Sequence, residues 1–154
     1  MKPIEQQPGR PQQVVPQAEV PQTLKPGEKT GSRGKALVME DERSVRVPLT
    51  HMLESEGFTV IATDSGTVGV EKFREDPTGF SLVTSDFVMH GLFGDKAVAE
   101  IRKLNPTVPI IVIADNATDP VTKQDIPGAN MFLDKPVSLQ TIREAVRRLT
   151  TQKV

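Results

Sequence analysis

From Lys35 onward, five short apolar runs alternate with longer amphipathic stretches. This alternation limits the fold more than any other feature of the chain. The runs are Ala36-Leu37-Val38-Met39, Phe58-Thr59-Val60-Ile61-Ala62, Ser81-Leu82-Val83-Thr84-Ser85, Ile110-Ile111-Val112-Ile113 and Met131-Phe132-Leu133. Each has strand length and is mostly aliphatic or β-branched. Their apolarity is continuous rather than alternating, the pattern of strands covered on both faces, as in a parallel sheet. Parallel neighbours need a crossover between them, usually a helix.

The intervening stretches read as those helices. Val45, Leu49, Met52 and Leu53 follow the i, i+4, i+7, i+8 spacing of one helical face, and Gly57 ends that helix. Pro48 falls inside it, which predicts a kink or a late start. Val70 and Phe73 line a second helix that stops before Pro77. Ala97, Val98, Ile101 and Leu104 line a third, closed by Pro106. A short fourth helix is predicted from about Pro120 to Ile126, between two prolines. Ser138 is the expected N-cap of the last helix, whose apolar positions are Leu139, Ile142, Val146 and Leu149. Strict β–α alternation of this kind implies an α/β fold with a doubly wound, five-stranded parallel sheet and helices on both faces.

Residues 1–34 do not share the pattern. They hold six of the chain's 13 prolines, six glutamines, four glycines and no aromatic residue. Such a segment cannot bury enough apolar surface to offset its ordering entropy and is expected to be a disordered tail or linker. From Pro11 its prolines recur every five residues, which suits an extended polyproline-like chain. Pro8-Gly9-Arg10-Pro11 matches a PxxP docking pattern, with a plain linker as the simpler reading. The domains expected are therefore the tail over 1–34, a folded domain over 35–150 and a short end over 151–154.

Composition removes several functions. The chain has no Cys, which excludes disulfides, Cys-ligated metals and a thiol nucleophile. A formal charge of −1 argues against nucleic-acid binding. Five basic and three acidic residues fall in the tail, so the folded part is mildly acidic. No apolar run approaches the roughly 18 residues that span a bilayer. The N-terminus lacks an apolar signal core, so a cytoplasmic location is expected.

Open parallel sheets bind ligands beyond the carboxyl ends of their strands. Glu40, Asp41 and Glu42 follow the first run, Asp86 the third, Ala114 and Asp115 the fourth, and Lys135 and Pro136 the fifth. Strands one, three and five would thus bring carboxylates and one lysine to a single edge. Converging carboxylates repel unless a cation lies among them. A hard divalent ion such as Mg²⁺ suits all-oxygen ligands. Taken alone, Glu40-Asp41-Glu42 also fits a solvated helix start, and Phe132 fits plain core. Arg143, Arg147 and Arg148 form a basic face on the last helix, either a partner surface or a solvated one.

Four segments resemble response-regulator receiver domains of two-component signalling. They are Ala36 to Arg46, Leu82 to Gly91, Pro109 to Ile113 and Gly128 to Pro136, in the family's order and spacing. The resemblance covers about residues 35–150. It implies the flavodoxin-like strand order 2-1-3-4-5 and a signalling domain rather than an enzyme, with at most slow self-dephosphorylation. It implies that Asp86 accepts a phosphoryl group from the phosphohistidine of a histidine kinase or phosphotransfer protein. Glu40, Asp41, Asp86 and the backbone carbonyl of Val88 match the Mg²⁺ ligands. Lys135 matches the lysine that contacts the phosphoryl oxygens, Phe132 the aromatic switch residue, and Pro136 the proline of a cis bond. Output is expected by protein contact through the face of the fourth helix, fifth strand and last helix. Neither DNA binding in cis nor membrane attachment is expected.

Three positions depart from the family. Ala114 stands where Thr or Ser is usual, which removes a hydroxyl donor to the phosphoryl group. Asp115 stands where a small residue is usual and adds a negative charge. His90 replaces a proline. These departures leave open a degenerate receiver that binds partners without phosphorylation, and the chain also fits the receiver fragment of a hybrid kinase. An apolar side chain at Val88 cannot orient an attacking water, so slow self-hydrolysis is expected. An aspartyl phosphatase would want a second Asp where Val88 stands. A flavin carrier would want hydroxyls where Glu40-Asp41-Glu42 stand.

Overall fold

The computed structural model of the chain describes residues 33–89, 91–115 and 126–151, all within the compact unit Gly31–Val154. Its elements run β1 (Lys35–Met39), α1 (Arg43–Ser55), β2 (Thr59–Thr63), α2 (Gly66–Glu75), β3 (Phe80–Asp86), α3 (Gly94–Leu104), β4 (Ile110–Ala114), β5 (Met131–Asp134) and α4 (Leu139–Thr151). The five strands pair in parallel in the order β2-β1-β3-β4-β5, as the resemblance implies. The last helix expected from the sequence is α4. Residues 120–125 of the predicted fourth helix, the tail to residue 32, His90 and residues 152–154 lie outside the described residues. Ile126 is buried in a turn rather than in a helix.

Continuous strand apolarity has the expected cause, because the sheet carries a core on each face. Leu37, Met39, Val83, Ile110 and Val112 pack with Val70 and Phe73 of α2 and Ala97, Val98 and Ile101 of α3. Ala36, Val38, Leu82, Ile111 and Ile113 pack with Leu49, Met52 and Leu53 of α1 and Ile142, Ala145 and Val146 of α4. Alternate residues of one strand thus serve opposite cores. Leu139 differs from expectation: it is 40 % exposed in the first turn of α4, and Ala145 lies against the sheet instead. Ser138 caps α4 as predicted, its Oγ accepting from the Thr141 N–H at 3.0 Å.

Two backbone features support the strand ends that matter. Helix α1 neither starts late nor stops at Pro48. Pro48 forfeits one intrahelical bond, yet burial of Leu49, Met52 and Leu53 holds the helix on the sheet. Gly57 then ends it with φ +104°, and Phe58 N–H returns to Leu53 O at 3.2 Å. At the start of α3, a Cβ on Gly94 would lie 2.9 Å from the carbonyl oxygen of Asp86. Only glycine lets that helix approach the end of β3 so closely.

Candidate functional site

Register brings the site together. Met39 of β1 lies opposite Ser85 of β3, Asp86 opposite Ile113 of β4, and Ala114 opposite Asp134 of β5. The residues leaving these strands therefore meet at one edge. One carboxylate oxygen from each of Glu40, Asp41 and Asp86 lies within 4.8 Å of the others. Lys135 Nζ reaches Asp86 Oδ1 at 2.9 Å.

Glu40 and Asp86 are buried, at 2 % and 5 % exposure. Backbone bonds hold the acidic loop. Glu40 N–H donates to Thr63 O at 3.0 Å, extending the β1–β2 ladder by one residue. Glu42 N–H donates to Glu40 Oε2 at 3.1 Å, and Arg46 Nη1 donates to Glu40 O at 2.9 Å. Val45 and Arg46 N–H groups turn back onto Glu42 O at 3.0 and 2.8 Å, which starts α1.

The electrostatics follow from this crowding. Burial, and then the charge of Asp86, push Glu40 up from 4.5 to about 7, although Glu42 N–H and Lys135 oppose the rise. Burial also raises Asp86, while the hydrogen bond and charge of Lys135 pull it back. Burial alone would lower Lys135, but its bond to Asp86 and the nearby carboxylates outweigh that and raise it. The site holds three carboxylates and one ammonium, an excess of negative charge.

This donor set fits a hard divalent cation. All the donors are oxygens, they converge, and they repel one another without a counterion.

The other predicted residues fall around this centre. Val88 lies in the loop beyond β3, two residues past Asp86, with its side chain 48 % exposed. Ala114 is buried at the end of β4, its carbonyl accepting from Lys135 N–H at 2.8 Å. Phe132 is half-buried against the α2–α3 core that also contains Ala114. The Lys135–Pro136 peptide is cis. Asp115, exposed, shares with Lys135 and Pro136 the rim of a cleft of about 740 Å³ whose walls include Val45, Pro48 and Ile142.

Two of the three arginines on the basic face of the last helix pair with a carboxylate, while Arg148 is exposed. Arg143 Nε and Arg147 Nε lie 3.1 and 2.8 Å from the carboxylate of Glu56, beside the end of α1. Sequence reading missed this cluster, since Glu56 and Arg147 are 91 residues apart. It also missed Arg46, whose place one turn beyond Glu42 was the available signal.

Known proteins agree with this geometry. The family model described as response regulator receiver domain matches residues 36–147. The chain is 33% identical over 122 residues to the uncharacterized transcriptional regulatory protein YkoG of Bacillus subtilis, covering 78% of this chain and 52% of that protein. It is 32% identical over 114 residues to the sensor kinase CckA of Brucella abortus, covering 73% of this chain and 12% of that one. The match thus spans about half of one relative and about an eighth of the other. A response regulator receiver domain from Clostridium thermocellum superposes with a TM-score of 0.70 at 28% identity, covering 78% of this chain and 96% of that one. A receiver domain of the histidine kinase PA1611 from Pseudomonas aeruginosa, solved with a magnesium ion in its active-site cleft, superposes at 0.66 with 24% identity, covering 77% of this chain and 98% of that one.

The sheet order, the edge carboxylates and the matched family agree: this chain belongs to the response regulator receiver domains, the signalling domains of two-component systems. Among the described residues no helix is long and apolar enough to cross a membrane.

Proposed function

We propose that the domain over residues 35–150 is a phosphoacceptor, with Asp86 taking a phosphoryl group from a phosphohistidine. The observation that carries this reading is the Lys135–Asp86 contact at 2.9 Å inside a buried three-carboxylate cluster. One Asp86 carboxylate oxygen attacks phosphorus. The P–O bond forms as the P–N bond breaks, and the imidazole nitrogen keeps the electron pair. The product is an acyl phosphate.

The chain's own residues prepare this transfer. Lys135 offsets the burial of Asp86, favours the ionised nucleophile and keeps a fixed ammonium beside the incoming oxygens. Burial of Asp86 and Glu40 limits competing water. Glu40, Asp41, Asp86 and the Val88 carbonyl would hold Mg²⁺, which supplies positive charge against the transferring phosphoryl oxygens. The apolar cleft beside Lys135 offers a seat to a helix bearing the donor histidine. Relatives that include a sensor kinase support a histidine kinase or phosphotransfer protein as donor, either as a separate protein or within a hybrid kinase. Output passes to a protein target by way of β5 and the last helix, α4. The composition of residues 1–34 supports a tail or linker.

A second reading rests on Ala114 and Asp115: a receiver that binds its partner without phosphorylation. Acetyl phosphate with Mg²⁺ separates the two. The first predicts one added phosphoryl group by intact mass, absent from Asp86→Ala. Equal modification of both forms, or none of the wild type, would sink it.

A further inference from the structure

We propose that Arg46 is a positioning residue: by donating to the Glu40 carbonyl, its guanidinium fixes the backbone that aims the Glu40 and Asp41 carboxylates at Asp86. This rests on the reading that those carboxylates hold a divalent cation.

The contacts single out Arg46. Its Nη1 lies 2.9 Å from Glu40 O, while its own N–H lies 2.8 Å from Glu42 O. One residue therefore grips both ends of the acidic loop, from the side chain and from the main chain. Its carbonyl takes the Thr50 hydroxyl at 2.8 Å, which ties the same residue into the next turn. Glu40 N–H, in the Met39–Glu40 peptide unit, is already held by Thr63 O, and the Arg46 bond fixes the next unit, Glu40–Asp41.

The loop needs such a tie. Helix α1 has no side-chain N-cap bond and no acidic residue in its first turn. Arg43 and Arg46 place positive charge at the helix end that favours negative charge. Pro48 withholds the bond its N–H would have made to Ser44 O. The turn that follows the acidic loop thus lacks a side-chain cap and one backbone bond. It must nevertheless keep carboxylates together that repel each other.

Arg46 acts through geometry rather than by neutralising the cluster. Its recorded bond goes to the Glu40 carbonyl and not to a carboxylate. A charge-matched comparison can therefore isolate the positional effect. Arg43 lies in the same turn, is exposed and makes no recorded contact with Glu40.

Two measurements on the full chain test this. Calorimetric titration with Mg²⁺ gives the Kd of the wild type and of Arg46→Met, Arg46→Lys and Arg43→Met. Arg46→Met should raise Kd about tenfold, the low end of the effect of losing an outer support for a metal ligand. Arg46→Lys should recover most of it, and Arg43→Met should stay within about twofold. Hydrogen exchange of the Glu42 amide, measured in cation-free protein, should quicken several-fold in Arg46→Met alone. Arg46→Gln serves both measurements if the Met variant does not fold. Equal weakening by Arg43→Met and Arg46→Met would mean charge, not position, and would overturn the proposal. So would unchanged Kd and unchanged exchange in the Arg46 variants. A wild type that takes up no Mg²⁺ defeats the cation reading itself, while Glu42 exchange still decides whether Arg46 holds the loop.

Discussion

Thr84 sits two residues before Asp86 with its hydroxyl sealed in the core. It is 1 % exposed, its neighbours in register are Val38 and Ile111, and its Oγ1 has no hydrogen-bond partner among the described residues. A buried hydroxyl without a partner costs its desolvation and returns nothing. Thr84→Val keeps the shape and removes that cost. It should therefore stabilise the fold by about 1 kcal/mol, read from denaturant midpoints at unchanged slope. A loss of stability would show that the hydroxyl has a partner in solution. The sequence placed Thr84 in a strand, but an orphan hydroxyl is a fact about neighbours and cannot be read from a run of letters. Ala114 is the converse case on the proposed phosphoacceptor reading, which expects a hydroxyl donor at this edge. It lies on the same face of the sheet as Phe132. Ala114→Thr should supply a hydroxyl to the phosphoryl group, a bond to a charged acceptor worth about 1.5–3 kcal/mol. The shift of the Phe132 ring resonances on phosphorylation should then be larger than in the wild type. An identical shift in both forms would mean that Ala114 does not limit the switch.

Helices α1 and α4 are joined by more than their apolar faces. The Glu56 side chain, 7 % exposed just past α1, faces Arg33 at 3.5 Å, Arg143 at 3.1 Å and Arg147 at 2.8 Å. Arg33 also bonds Thr150 near the end of α4 and lies over the Phe58 ring at 4.9 Å. The hydrogen bond from Arg147, with the charges of all three arginines, holds Glu56 below its ordinary 4.5 despite its burial. A depressed carboxylate contributes stability that is present above its unfolded value. That contribution is lost as pH falls from about 4.5 through the lower folded value. Glu56→Gln should therefore cost only about 1 kcal/mol at neutral pH, because Arg147 is largely solvated. The difference from the wild type should shrink in acid, where both side chains are neutral. Denaturant unfolding at the two pH values checks this, and an equal cost at both would mean that packing rather than charge is at stake. The helices themselves were legible from their apolar spacing. Their ion pairing was not, because a charged face reads the same whether it meets water or a distant carboxylate. Pro48 misled as to the helix start for a related reason: local chemistry allows a late start, and packing against the sheet holds the turn before Pro48 in the helix.

For the molecule as a whole, the legible part was the part with a period. Five continuous apolar runs determined the sheet class, and the rule that ligands gather beyond strand ends selected Glu40, Asp41, Asp86 and Lys135 before any geometry was known. What remained hidden was how the edge is held, since Arg46 and Glu42 N–H act through backbone atoms that every residue has. The same topology makes cation binding a whole-molecule property. Glu40 and Asp41 leave β1 and Asp86 ends β3, so the three carboxylates meet only when the sheet has formed. A cation that binds the folded form alone stabilises it by RT ln(1 + [L]/Kd), about 2.7 kcal/mol at a hundredfold excess over Kd. For a domain of this size that is a rise of several degrees in Tm. The rise should grow with the logarithm of Mg²⁺ concentration above Kd. It should be absent when NaCl replaces Mg²⁺ at equal ionic strength, and it should be blunted in Asp86→Asn. The chain has neither Trp nor Tyr, so calorimetry or far-UV circular dichroism must follow the transition. A Tm indifferent to Mg²⁺, or an equal rise in Asp86→Asn, would show that the edge carboxylates do not act as one site.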